Sequence, residues 1–178
     1  MLSVIILCTA APANGRTVAP AEAVVRTLSS LVGASVRGLV RDVVLAGPRE
    51  RELGLIADHA GCVFVEAASE AECLRLALGR VRGEDLLVLL PGHVPESGFL
   101  EEVEDLLSQG GMRDGRRICA APVTYWQRLV PALAPIVGLI ASVDACRAAS
   151  DAAKLSFDAL VRATKGRRTL RARAYRIG

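Results

Sequence analysis

The sequence predicts an α/β domain with a mostly parallel sheet and helices on both faces, extended by a helical, basic C-terminal segment. Three observations predict it. Short aliphatic runs, uninterrupted by charge, recur along the first two-thirds of the chain, as strands buried on both faces require. Each run is followed by a segment with apolar residues at helical spacing. The alternation of the two is the signature of strands joined by crossover helices.

The elements follow in order. Leu2–Leu7 is a β-branched-rich first strand. A turn-rich loop follows over residues 9–16, and Pro20 suits the first turn of a helix, where its missing N–H costs nothing. Ala23, Val24, Leu28, Leu31 and Val32 form that helix's apolar set. Val43–Leu45 is a second strand, stopped by Gly47 and Pro48. Residues 49–59 read as an amphipathic helix ending at Gly61, and Cys62–Glu66 as a third strand. Ser69 and Glu72 make a capping box, in which hydroxyl and carboxylate satisfy each other's orphan amides. Its helix directs Cys73, Leu74, Ala77, Leu78 and Val81 inward. Leu86–Leu90 is a fourth strand, Ser97 opens a helix reaching Leu107, and Ile118–Val123 is a fifth strand. The apolar run Leu129–Val143, with Pro131, Pro135 and Gly138, is too short and broken to span a bilayer and is predicted to be a buried or interfacial helix. The predicted division is therefore a sheet domain over residues 1–123 and a helical, basic extension over 124–178 packed on it.

At 178 residues the chain is long enough for a substantial core. Hydrophobic residues are 52% of it and aromatics 3%, so the core is aliphatic and disorder along most of the chain is excluded. So few rings argue against a base-stacking nucleic-acid surface. The five cysteines, Cys8, Cys62, Cys73, Cys119 and Cys146, form no CxxC pair, which speaks against a disulfide framework or zinc site and for a reducing, cytoplasmic setting. Charge is unevenly placed. Residues 1–109 carry nine arginines against fifteen acids, and residues 110–178 carry thirteen cations against four. The second half is thus expected to meet something negative, either the first half or an anionic partner. Its densest stretch holds Arg162, Lys165, Arg167, Arg168, Arg171, Arg173 and Arg176 with no acid. Arg167, Arg168, Arg171, Arg173 and Arg176 are candidates for an anionic surface such as the inner face of a membrane. Because the predicted strands all lie before residue 124, removing residues 162–178 is expected to spare the fold.

Ligands of open α/β sheets sit beyond the carboxyl ends of the strands, so the loops after Leu7, Leu45, Glu66 and Leu90 matter most. Five segments there and nearby resemble the family 2 glycosyltransferases, of the GT-A nucleotide-diphospho-sugar transferase fold. They are Ser3–Ile6 (SVII), Thr27–Leu31 (TLSSL), Arg41–Leu45 (RDVVL), Ala77–Glu84 (ALGRVRGE) and Leu86–Leu100, which ends VPESGFL. The resemblance covers about residues 2–123. It implies a nucleotide-sugar donor, and an Asp-x-Asp motif after the fourth strand that holds a divalent metal against the donor's diphosphate.

The residues aligned with that motif are Leu90, Pro91 and Gly92, which carry no carboxylate, so no metal cofactor is expected. Gly47 and Pro48 stand where the family has an acidic pair reading the nucleoside, and Leu7 where it has proline. Asp144, Asp151 and Asp158 are the acids after the fifth strand, and none sits in a recognisable acceptor-site motif. The candidate ligand-binding residues are Thr9, Gly47, Gly92 and His93: a hydroxyl, two glycines that let a phosphate near backbone amides, and an imidazole at the ligand edge. Two functions are left open. One is sugar transfer from a nucleotide-sugar. The other is a non-catalytic binding or scaffold protein that keeps the fold and works with a partner enzyme or at the membrane surface. The catalytic residues and the oligomeric state are not legible in the sequence.

Overall fold

The computed structural model describes residues 1–8, 20–108, 115–122, 127, 129, 134–150, 155–164 and 168–176. Four strands run parallel: β1 (Leu2–Leu7), β2 (Val40–Gly47), β3 (Val63–Glu66) and β4 (Asp85–Leu89). Between them lie α1 (Pro20–Val36), α2 (Arg51–Ala60) and α3 (Glu70–Leu78). The chain continues through β5 (His93–Pro95), α4 (Phe99–Ser108), β6 (Arg116–Cys119), β7 (Ile136–Ser142), α5 (Val143–Ser150), α6 (Phe157–Ala163), β8 (Arg168–Thr169) and β9 (Ala174–Arg176). The large sheet has the order β3-β2-β1-β4-β7-β6-β8, and β5 pairs with β9 in a small second sheet. The α/β class stands as predicted, and the five expected strands are present, the fifth as Arg116–Cys119 where Ile118–Val123 was expected.

Strand alternation builds the two layers. Val4, Ile6, Leu87 and Leu89 face the layer of α1, α2 and α4, while Ile5, Leu7, Leu86 and Val88 face that of α3, α5 and α6. Local signals act as read. Ser69 Oγ accepts the N–H of Glu72 at 3.3 Å, and Gly61 closes α2 at φ 67°. Cys73, Leu74, Ala77, Leu78 and Val81 are buried. Val32 is not; at 58% exposure it lies on the outer face of α1. The helix read from Ser97 starts at Phe99, after Gly98 at φ 94°. At the amino edge of the sheet, buried Ser3 accepts the N–H groups of Gly83 (2.7 Å) and Arg82 (3.2 Å) and donates to Asp42 Oδ1 (2.7 Å). That knot anchors the turn into β4.

The helix expected over residues 129–143 is corrected. Residues 136–142 are β7, which runs antiparallel between β4 and β6 in the middle of the sheet. Helix and buried strand share an unbroken apolar run, and periodicity alone does not separate them. The segment after residue 124 is therefore not a helical appendage. It supplies β7, β8 and β9 as well as α5 and α6. Among the described residues no helix is long and apolar enough to cross a membrane.

The expectation that residues 162–178 are dispensable to the fold is also corrected, since this segment enters the core. From Leu170 it alternates: Leu170, Ala172 and Ala174 are buried against the α1/α4 layer, while Arg171 and Tyr175 are exposed. Acidic residues of the first half hold it, chiefly by its backbone. Glu102 accepts the N–H groups of Arg171 (3.0 Å) and Ala172 (2.9 Å). Glu96 accepts the N–H of Arg173 (3.2 Å) and the Tyr175 hydroxyl (3.2 Å). Both carboxylates thus have both oxygens engaged. Backbone amides of the basic half meet carboxylates of the acidic half inside the molecule.

Candidate functional site

The sheet order places a topological switch point between β1 and β4: the chain leaves β1 towards β2 and β3, then crosses back to β4. Loops at a switch point diverge and leave a crevice at the carboxyl ends of the strands. At that edge Cys8 follows β1, Gly47 ends β2, and Leu90–His93 follow β4. Thr9, predicted to sit on its rim, lies outside the described residues.

Gly47 is set by packing. A Cβ there would stand 2.9 Å from Cys8 Cβ and 3.1 Å from Leu53 Cδ1, and its carbonyl accepts the N–H of Ala67 at 3.1 Å. Gly92 adopts φ 79°, where an L side chain is strained. Its N–H donates to Thr27 Oγ1 at 3.0 Å and to the Ala23 carbonyl at 3.1 Å, so this amide is engaged by α1. Thr27 is a clamp not singled out from the sequence, although a threonine on the buried face of a helix was the available signal. Its hydroxyl donates to Ala23 O at 3.0 Å.

Nδ1 of His93 lies 3.3 Å from the Leu90 carbonyl and 3.2 Å from that of Pro91. Carbonyls only accept, so the network assigns the hydrogen to Nδ1 and leaves a lone pair on Nε2. Burial lowers the pKa of the imidazole; the two carbonyls oppose that, and Arg176 adds to it. A neutral ring with a free lone pair suits a hydroxyl donor better than a phosphate oxygen.

A pH dependence follows. The folded pKa lies below the unfolded value of about 6.5, so the unfolded chain binds this proton more readily. The contribution of His93 to stability is complete above about pH 6.5 and declines as the pH falls below it. Thermal midpoints measured from pH 7.5 to 5.5 are expected to fall further in the parent than in His93→Gln. Equal falls would show that the ring is not buried neutral.

The thiol at the crevice is inert: burial, with Cys73 and Glu50 adding, pushes the Cys8 pKa up to about 12. The Leu90 side chain packs against the core on the α3/α5 side. Among the described residues no three His, Cys, Asp or Glu side chains gather into a metal-binding group. A hard divalent cation needs oxygen ligands, chiefly carboxylates, and Leu90–Gly92 with this surrounding does not fit one.

The tail arginines fall at two places. Arg168 opposes Arg116 directly across the β6–β8 pair, at the amino edge. Arg176 opposes His93 across the β5–β9 pair, at the carboxyl edge. Arg168 and Arg171 are exposed, Arg173 and Arg176 are half-buried, and Arg167 lies outside the described residues. A separate groove of about 580 Å³ runs along α4, lined by Glu96, Glu102, Asp105, Arg116 and Arg171, with no residue from the loops after β1, β2 or β4.

Sheet order and layers give an α/β fold of the GT-A-like kind. The solved structures it resembles bear this out. One is 4-diphosphocytidyl-2C-methyl-D-erythritol synthase, with TM-score 0.61 and 13% identity over 95% of this chain and 86% of that one. The same enzyme from Anaerococcus prevotii gives 0.59 and 13%, over 99% and 87%. Glucosyl-3-phosphoglycerate synthase from Mycobacterium tuberculosis, in complex with Mn²⁺, uridine diphosphate and glucosyl-3-phosphoglycerate, gives 0.56 and 15% over 82% of this chain. This chain spans 57% of that enzyme's length. At such identities the likeness is one of fold. No protein-family model matches the chain, and no curated protein matches it in sequence.

Proposed function

We propose that the chain binds a nucleotide-sugar, or a related nucleoside diphosphate compound, in the crevice between the loops after β1 and β4, as a transferase-type domain. The switch point at β1 and β4 carries this reading, because it is the place where this sheet order leaves room for a ligand. The enzymes of like fold support it, since their names place uridine and cytidine diphosphate compounds on this architecture. The family 2 resemblance of residues 2–123 favours a sugar donor. A second reading, nucleotidyl transfer, rests on extent: the chain spans 86% of the diphosphocytidyl synthase but 57% of the glucosyl enzyme.

Calorimetry with uridine-, cytidine-, guanosine- and adenosine-diphosphate sugars, and with the corresponding triphosphates, tests the proposal in EDTA and in Mn²⁺. At least one compound is expected to bind at micromolar concentration in EDTA. Preference for a nucleotide-sugar supports the donor reading, and preference for a triphosphate the nucleotidyl one. Silence across the whole panel would reject nucleotide binding and return the scaffold alternative.

A further inference from the structure

The geometry points to Arg176 as the chain's own counter-charge for the diphosphate of a bound nucleotide, at the place where the fold otherwise employs a divalent metal. This rests on the nucleotide-binding reading above.

The inference starts from a disagreement. A diphosphate in the crevice brings two or more negative charges beside the loop after β4, where Leu90, Pro91 and Gly92 offer no carboxylate to retain a cation. The Gly92 amide is already engaged by Thr27 and Ala23, so this backbone position does not make up the deficit. A positively charged side chain that reaches the carboxyl edge would meet that deficit.

The β5–β9 pair brings one there. β5 begins immediately after the Leu90–Gly92 turn, and β9 pairs with it antiparallel, with His93 opposite Arg176 and Pro95 opposite Ala174. Residues directly opposed in such a pair project from the same face. The guanidinium is therefore on the face of His93, one residue beyond the turn in question. β9 is also fixed from its other side. The Ala121 N–H donates to the Ala174 carbonyl at 2.8 Å, and Ala120 bridges to Ala174 at the carboxyl end of β6. Buried Ala174, and the grip of Glu96 on Arg173 and Tyr175, set the register that aims Arg176. The strap thus delivers a charge from the far end of the sequence to the switch-point crevice.

The chemistry suits the task. A guanidinium is permanently charged and offers paired N–H donors that match two phosphate oxygens. Neutral His93 beside it presents an acceptor at Nε2, fit for a ribose or sugar hydroxyl.

The test uses the full chain with nucleoside diphosphates and monophosphates of the base selected by the panel, by calorimetry in EDTA. Arg176→Gln is expected to weaken the diphosphate at least about tenfold and the monophosphate less than about threefold. Arg176→Lys should retain most of the affinity. Arg171→Gln, which removes the same charge from an exposed position on the α4 groove, should change neither. Thermal midpoints of all variants within a few degrees of the parent would show that binding, not folding, is being read. Diphosphate affinity indifferent to Arg176→Gln, equal losses in Arg171→Gln, or binding that appears only with Mn²⁺ would overturn the assignment while leaving the nucleotide reading standing. A parent that binds no nucleotide removes both.

Discussion

Removing residues 162–178 is expected to leave a chain without a cooperative thermal transition. The deletion takes away β8 and β9 and the buried side chains of Leu170, Ala172 and Ala174. Emptying a buried leucine site alone costs about 2–5 kcal/mol. It also strips Glu96 and Glu102 of the three amides and the hydroxyl that engage their four oxygens. Hydrogen bonds to charged groups are worth about 1.5–3 kcal/mol each, less where solvent reaches them. The deletion further removes Thr164, whose carbonyl accepts the Gly115 N–H at 3.1 Å on the approach to β6. Such losses are comparable with the about 5–15 kcal/mol that holds a domain together. Circular dichroism and a thermal melt of the truncated chain check this. A cooperative transition within about 5 °C of the parent would show that the strap is dispensable.

Gly138→Val is expected to destabilise the protein by more than about 3 kcal/mol, and Gly138→Ala by about 1–3 kcal/mol. Gly138 lies inside β7 and opposes Leu89 of β4 on one side and Ile118 of β6 on the other. Both neighbours are fully buried and close over it. A Cβ at this position would stand 2.8 Å from Leu89 Cδ2, 2.9 Å from Ile118 Cδ1 and 3.1 Å from the Val88 carbonyl. Neither side chain has solvent to retreat into, so the strain enters the sheet. For a domain of this length each kcal/mol moves the midpoint by about 2–4 °C, which places Gly138→Val at least about 6 °C below the parent. The double variant Gly138→Ala with Leu89→Ala should lose less than the sum of the two single losses, since the two changes share one volume. A Gly138→Val protein melting with the parent would mean that β7 is not packed in this register.

The first ninety residues were legible because local chemistry and tertiary role agree there. The β-branched run of Leu2–Leu7, the Ser69–Glu72 cap and the left-handed stop at Gly61 each specify in the sequence what the structure contains. The sheet class and its carboxyl edge followed from that alternation. That Leu90, Pro91 and Gly92 carry no carboxylate was equally plain, because composition at a position needs no fold to be read.

What only the tertiary structure decided lies after residue 124 and in the pairing of distant segments. An apolar run from 129 to 143 is satisfied as a buried helix or as a buried strand. The choice of β7 at 136–142 was made by the open hydrogen-bonding edges of β4 and β6, which lie far away in sequence. The tail's seven cations concealed a period-two set of Leu170, Ala172 and Ala174, which becomes core only because Glu96 and Glu102 hold the amides between them. Charge counting foresaw that the basic half could meet the acidic one. It could not show that backbone N–H groups make the contact or that Arg176 pairs opposite His93, since register is a property of paired strands rather than of either sequence segment alone.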